Sequence, residues 1–157
     1  MLKSYALAFL VSMVPLIELR GGVPVAMAMG IPAVNAIVVC AIGNMLPMPF
    51  IYLFARKILL WGSTKKHIGP LFSKLLTKGE RAGRRLASTA SRKGMFIALL
   101  LFVGIPLPGT GAWTGTLAAS LLNMGWKSTT GAVSLGVVLA GIIMATVSTL
   151  GLHIFGL

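Results

Sequence analysis

Eleven of the fourteen lysines and arginines lie between Arg56 and Lys93, and a long apolar block stands on either side of them. The flanks, 1–55 and 94–157, hold only Lys3, Arg20 and Lys127. A basic block between two apolar blocks is the pattern of a membrane protein with one cytoplasmic linker, because basic residues stay on the cytoplasmic side. The net charge of +12 would by itself point to nucleic acid, but its segregation excludes that partner. Composition agrees: 57% of residues are hydrophobic and 10% charged, against about 45–50% and 25% in soluble domains. A disordered chain and an ordinary soluble enzyme are excluded on the same ground.

Run lengths give the architecture. A helix needs about 20 residues to cross roughly 30 Å of hydrocarbon. Leu2 to Ile17 is short and meets Pro15. Glu18-Leu19-Arg20-Gly21-Gly22 follows, then a second short piece from Val23 to Gly30, with Pro24 suited to a helix's first turn. Ala33 to Ala55 carries no charge and is long enough to span. After the linker the order recurs. Met95 to Ile105 is short, Pro106-Leu107-Pro108-Gly109-Thr110-Gly111 breaks it, and Ala112 to Met124 is short again. Ser128 to Gly151 can span. Lys3, the following apolar run and Ala26-Met27-Ala28 mimic a cleaved leader, but Glu18 and Arg20 stand where cleavage regions do not usually place charges.

The expected fold is therefore all-α and integral to the membrane. It is an inverted repeat of a re-entrant helical hairpin plus a transmembrane helix: hairpin 2–31 and span 33–55, basic cytoplasmic linker 56–93, hairpin 95–124 and span 128–151. The linker's sidedness puts both termini outside and lets the hairpin tips meet near the midplane. Paired interrupted segments in corresponding halves point to a transporter's binding site. The rival topology makes each hairpin one long kinked helix.

Glu18 is the only acid in either apolar block, and Arg20 is two residues away. Charges at membrane depth cost at least about 2.5–3.5 kcal/mol, so they line pathways or pair with one another. Desolvation disfavours the charged carboxylate, so Glu18 can take up and release a proton. The Arg20 guanidinium can fork onto a phosphate or carboxylate. The alternative is an ion pair that only fixes the hairpin. Gly21 and Gly22 permit a non-helical stretch in which the two charges converge. In the second break, Pro108, Gly109, Thr110 and Gly111 offer backbone donors, with Thr110 as the cap of a helix starting near Ala112. That helix and one starting at Pro24 would aim their N-termini, which favour anions, at the midplane.

Asn44 either hydrogen-bonds across helices or faces the site. Trp113 and Thr114 can line the pathway, although packing suits Trp113 as well. Trp61 and Trp126 read as interfacial anchors. Gly136, Ala140, Gly141 and Ala145 form a small-residue packing face. Cys40 reads as a core residue, since one cysteine builds neither a disulfide nor a cysteine metal site. His67 and His153 have no partner pattern. No metal or cofactor is called for, and two acids leave little scope for enzyme chemistry. Leu71, Leu75 and Leu76 among Lys74 and Lys78 read as a basic amphipathic helix on anionic lipid, with a solvated basic loop as the alternative.

The segments Pro15-Leu16-Ile17-Glu18-Leu19-Arg20-Gly21-Gly22-Val23-Pro24, Gly43-Asn44-Met45-Leu46-Pro47 and Ile105-Pro106-Leu107-Pro108-Gly109-Thr110-Gly111-Ala112-Trp113-Thr114-Gly115 resemble the bacterial and archaeal small multidrug export family over nearly the whole chain. That family is similar in plan to the DedA superfamily of membrane proteins. The resemblance implies opposed re-entrant hairpins and, from some DedA members, movement of polyprenyl-phosphate carrier lipids. Acidic and arginine residues near the hairpins matter there, and Glu18 and Arg20 match that role. The further acidic and arginine residues of DedA proteins have no counterpart in the second hairpin.

Three functions follow as expectations. The first is proton-coupled translocation of an amphiphile with an anionic head, such as a polyprenyl phosphate, by Arg20 and the hairpin N-termini. The second is proton-coupled export of cationic drugs at Glu18. The third is a non-transporting scaffold whose linker recruits anionic lipid or a partner. Two spans do not easily enclose a pathway, so a homodimer or larger homo-oligomer in the cytoplasmic membrane is expected.

Overall fold

The computed structural model describes residues 2–77, apart from 16, 67 and 75, and residues 91–155; the side chains of 56 and 152–155 lie outside the description. Seven helices account for most of these residues: α1 Leu2–Met13, α2 Glu18–Ala28, α3 Ala33–Met45, α4 Met48–Ser63, α5 Arg92–Gly104, α6 Ala112–Leu121 and α7 Trp126–Phe155. Residues 69–74 are also helical. No strand occurs among the described residues.

Prolines set most of the boundaries. Pro15 follows the end of α1, and Pro106 follows α5, because a proline offers no N–H to the ladder and restricts the residue before it. α3 and α4 form one helical run with a flaw in it. Leu46 and Pro47 keep helical dihedrals. Pro47 and Pro49 lack N–H groups, so Gly43 O and Met45 O have no helical donor four residues on. Two helical runs, Ala33–Ala55 and Trp126–Gly151, are long and apolar enough to cross a membrane. α7 contains no proline, and its Thr146, Ser148 and Thr149 hydroxyls donate to the carbonyls four residues back. Such back-bonding satisfies a hydroxyl where no water is near.

The protein is a membrane protein, and its surface says why. Val34, Val38 and Ile42 on α3, and Leu135, Val138 and Ile142 on α7, are large apolar side chains exposed at helical spacing. Lipid is the solvent that accepts such a surface. The inward faces are built from small residues. Gly43 sits against the backbone of Phe9, where a Cβ would fall 2.5 Å from the Phe9 carbonyl oxygen. Gly136 lies on Val103 and Leu100, and Gly141 on Ile37 and Leu19. Ala140 and Ala145 are buried beside them, so the small-residue face on α7 packs as expected.

The halves pack differently. α1, α2 and α3 pack closely against one another, whereas α5 packs chiefly on α7 and α6 touches both only lightly. Across the halves, α2 and α3 meet α7, while α4 meets α6. Leu19, Val23, Val103, Val133 and Val137 fill the centre with almost no exposure. Cys40 is buried beside Ser12 and Gly22 and is a core residue.

One boundary departs from the sequence reading. The expected non-helical stretch at Gly21-Gly22 is inside α2, and Pro24 lies in the helix interior rather than its first turn. The chain breaks earlier, between Met13 and Glu18. Gly22 is needed for close approach, since a Cβ there would collide with the Ser12 hydroxyl and stand 3.1 Å from Cys40 Sγ.

Candidate transport site

Glu18 begins α2 with a positive φ of 52° and is only 5% exposed. This backbone conformation costs a side-chain-bearing residue about 1–2 kcal/mol. It aims the carboxylate at the start of α6. Oε2 accepts from Ala112 N at 3.2 Å and Oε1 from Trp113 N at 3.0 Å. A helix leaves its first N–H groups without internal partners. Here the missing acceptor arrives from 94 positions away in the chain, and its charge suits the positive end of the helix dipole.

Arg20 serves the other side of the same break. Nη1 donates to Leu107 O. Nη2 donates to Thr110 Oγ1 at 2.6 Å and to Ile105 O at 3.3 Å, and lies 3.5 Å from Val103 O. α5 ends ahead of Pro106 and Pro108, so these carbonyls fall outside a helical ladder; Ile105 O and Leu107 O accept in addition from Leu107 N and Thr110 N. Glu18 and Arg20 therefore turn away from each other, one to the N–H groups of α6, the other to the carbonyls leaving α5. Together they hold both ends of the 105–111 break.

Both charges border a cavity of about 880 Å³. Leu46, Pro47, Phe50, Ile51, Phe54, Ala55 and Ile58 line it from the α3–α4 run. Residues 106–110 with Trp113, Thr114 and Leu117 line it from the second half, and Met13 and Pro15 complete it. Its walls are therefore largely apolar, with three aromatic rings. Glu18 is the one carboxylate side chain among the described residues.

The structure brings together Glu18, Arg20, Pro108, Gly109, Thr110, Trp113 and Thr114 on this cavity. Gly111 stands directly behind the Glu18 carboxylate with φ of 141°. Three expected site residues are elsewhere. Gly21 and Gly22 belong to α2's packing faces and not to the cavity wall. Asn44 is buried in α3 off the cavity, and its Oδ1 has no hydrogen-bond partner. Thr110 does not cap α6: Gly111 holds the cap position and the side-chain acceptor is Glu18. Its hydroxyl instead sits within 3.0 Å of Ile105 O and Leu107 O and receives Arg20. His67 lies outside the described residues, as does the His153 side chain. The sequence reading missed Phe50, Phe54 and Ile58. Their four-residue spacing marks one helix face, a signal hidden inside an apolar run.

A family model described as "putative small multi-drug export protein" matches residues 18–143. The chain belongs to this family. The match begins at Glu18 and covers the 105–111 break and most of α7, so the cavity lies mainly within the region the family model matches. No curated protein matches the chain. No solved structure matches it either.

Proposed function

We propose that this chain exchanges lipophilic cations for protons, with Glu18 taking cargo and proton in turn. The observation that carries the reading is one buried carboxylate on the wall of a largely apolar cavity, where the other charged side chain, Arg20, is already engaged by the 105–110 break. Phe50, Phe54 and Trp113 supply ring faces, which attract cations most strongly where water is scarce. The carboxylate is held by two backbone N–H groups. A proton weakens that hold by removing the charge; a cationic cargo competes for it. Either exchange acts on the start of α6 and hence on the cavity wall. The recurrence of two short helices followed by a long apolar run, α1–α3 and α5–α7, supports the inverted-repeat reading; opposed hairpins, a cytoplasmic linker and outward termini belong to the same proposal. A homodimer or larger homo-oligomer would complete the enclosure.

A second reading, an amphiphile with an anionic head such as polyprenyl phosphate, draws on Arg20 at the cavity wall. Its cost is specific. The Arg20 fork is engaged with the 105–110 carbonyls and Thr110, and the α6 N-terminus holds Glu18. An anionic head would have to displace both.

The test is reconstitution in liposomes with an imposed pH gradient, comparing uptake of tetraphenylphosphonium with flipping of polyprenyl phosphate. Gradient-driven cation movement, lost in Glu18→Gln, is the expected result. Flipping without cation movement, lost in Arg20→Ala, overturns it in favour of the anionic head. Neither movement, from protein of native melting behaviour, overturns both in favour of a scaffold.

A further inference from the structure

α4 continues past the apolar window that ends at Ala55, and its last two turns change character. Lys57 Nζ lies 5.7 Å from the centroid of the Phe54 ring. Lys65 Nζ lies 4.6 Å from that of Trp61. Ile58, Leu60 and Trp61 are exposed, Trp61 to 61%. The linker then folds back on this end. A Cβ on Gly62 would collide with the Phe72 ring, and one on Gly69 would stand 2.8 Å from Ser63 O. The fold-back fixes Lys65, Lys66 and Lys74, all exposed, together with exposed Ile68 and Leu71, next to the end of α4.

We propose that this end of α4, with residues 64–66 and 68–74 folded against it, is a docking surface for anionic phospholipid headgroups. Two observations choose this occupant over soluble anions or an acidic protein. Large exposed apolar side chains alternate with the lysines, and water would reject that mixture while the headgroup boundary accepts both parts. The surface also continues without a break from the span, about 6 Å of helix separating Lys57 from Trp61, which keeps it within the headgroup layer. No described carboxylate lies there to neutralise the lysines. Phe54 and Ile58 also border the cavity, but none of the four lysines does, so the proposal does not depend on what the cavity carries.

The 157-residue chain with Trp113→Phe and Trp126→Phe keeps Trp61 as its one tryptophan. Its fluorescence is read in vesicles containing brominated phosphatidylglycerol or, at equal mole fraction, brominated phosphatidylcholine. Preferential quenching by the anionic lipid is expected, with a local enrichment of about 5-fold, the factor for one basic residue engaging a headgroup. The preference should vanish when Lys57, Lys65, Lys66 and Lys74 become Gln and persist when they become Arg. Equal quenching by the two lipids overturns the proposal and leaves the surface to a protein partner. A preference that survives in the Gln variant overturns it too. Removal of the enrichment by millimolar inorganic phosphate at constant ionic strength overturns it in favour of a soluble anion.

Discussion

The Glu18 carboxylate fills the space that any side chain at position 111 would need: a Cβ built on Gly111 would collide with Oε2 and stand 2.6 Å from Cδ. Position 111 also has φ of 141°, a region that side-chain-bearing residues avoid. The acid and the glycine are one device. Gly111→Ala should lower stability by about 1–3 kcal/mol from backbone strain alone, measured by thermal unfolding in micelles. Glu18→Ala removes the collision and also the acceptor of Ala112 N and Trp113 N, so it is the reference for the pair: adding Gly111→Ala to it should cost only the φ penalty. No further loss in the double variant would show that the backbone at 111 carries no strain.

Glu18→Gln keeps an acceptor oxygen and loses the charge. One of the two N–H groups at the start of α6 should then face an amide nitrogen, a mismatch costing about 1–3 kcal/mol. The expected outcome is a folded protein without gradient-driven cation transport. Glu18→Asp retains the charge but is one methylene shorter, so it should transport slowly. A fully active Gln variant would remove Glu18 from the coupling step.

Arg20→Lys tests whether the fork matters or only the charge. A lysine cannot span Leu107 O and Thr110 Oγ1 in the same plane. Loss of about 1.5–3 kcal/mol is expected for a charge-assisted set of this kind. Amide exchange at Leu107 and Thr110 should accelerate while exchange in α7 stays unchanged. Uniform acceleration throughout the protein would show that Arg20 supports the whole fold instead.

Two glycines separate flexible from rigid obstruction. Gly43→Ala must push against the Phe9 backbone, which cannot rotate away. It should cost about 1–3 kcal/mol through overpacking. Gly21→Ala meets the Cγ2 methyl of Ile17, a side chain that is 43% exposed and clears the space by a change of χ1. Melting temperatures of the two variants should therefore differ, with Gly21→Ala close to the parent protein.

The spans and the second break were legible because length and proline content act locally. An uncharged run such as Ala33–Ala55 and a segment such as Pro106-x-Pro108-Gly109-x-Gly111 leave the backbone few choices. The start of α2 was not legible. Gly21-Gly22-x-Pro24 reads as a breaker in water, yet helices in lipid use glycine for close approach and tolerate proline when neighbours supply partners. Gly22 against Ser12 is such an approach. The charges were found but not their partners. Nothing in the neighbourhood of Glu18 announces Ala112 and Trp113, since that bond exists only when the two halves have packed.

The flaw at Leu46–Pro47 has a mechanical meaning. Phe50, Ile51, Phe54, Ala55 and Ile58, the cavity's α4 wall, all lie on one side of it in the chain. Elsewhere in a helix, a bend must break hydrogen bonds that lipid cannot replace. Here Pro47 and Pro49 have already removed two of them. Swinging the wall would thus leave those two rungs out of the reckoning, and a few degrees at the joint would become about an ångström at Ile58. An angle, without any repacking of side chains, would then set the volume of the chamber.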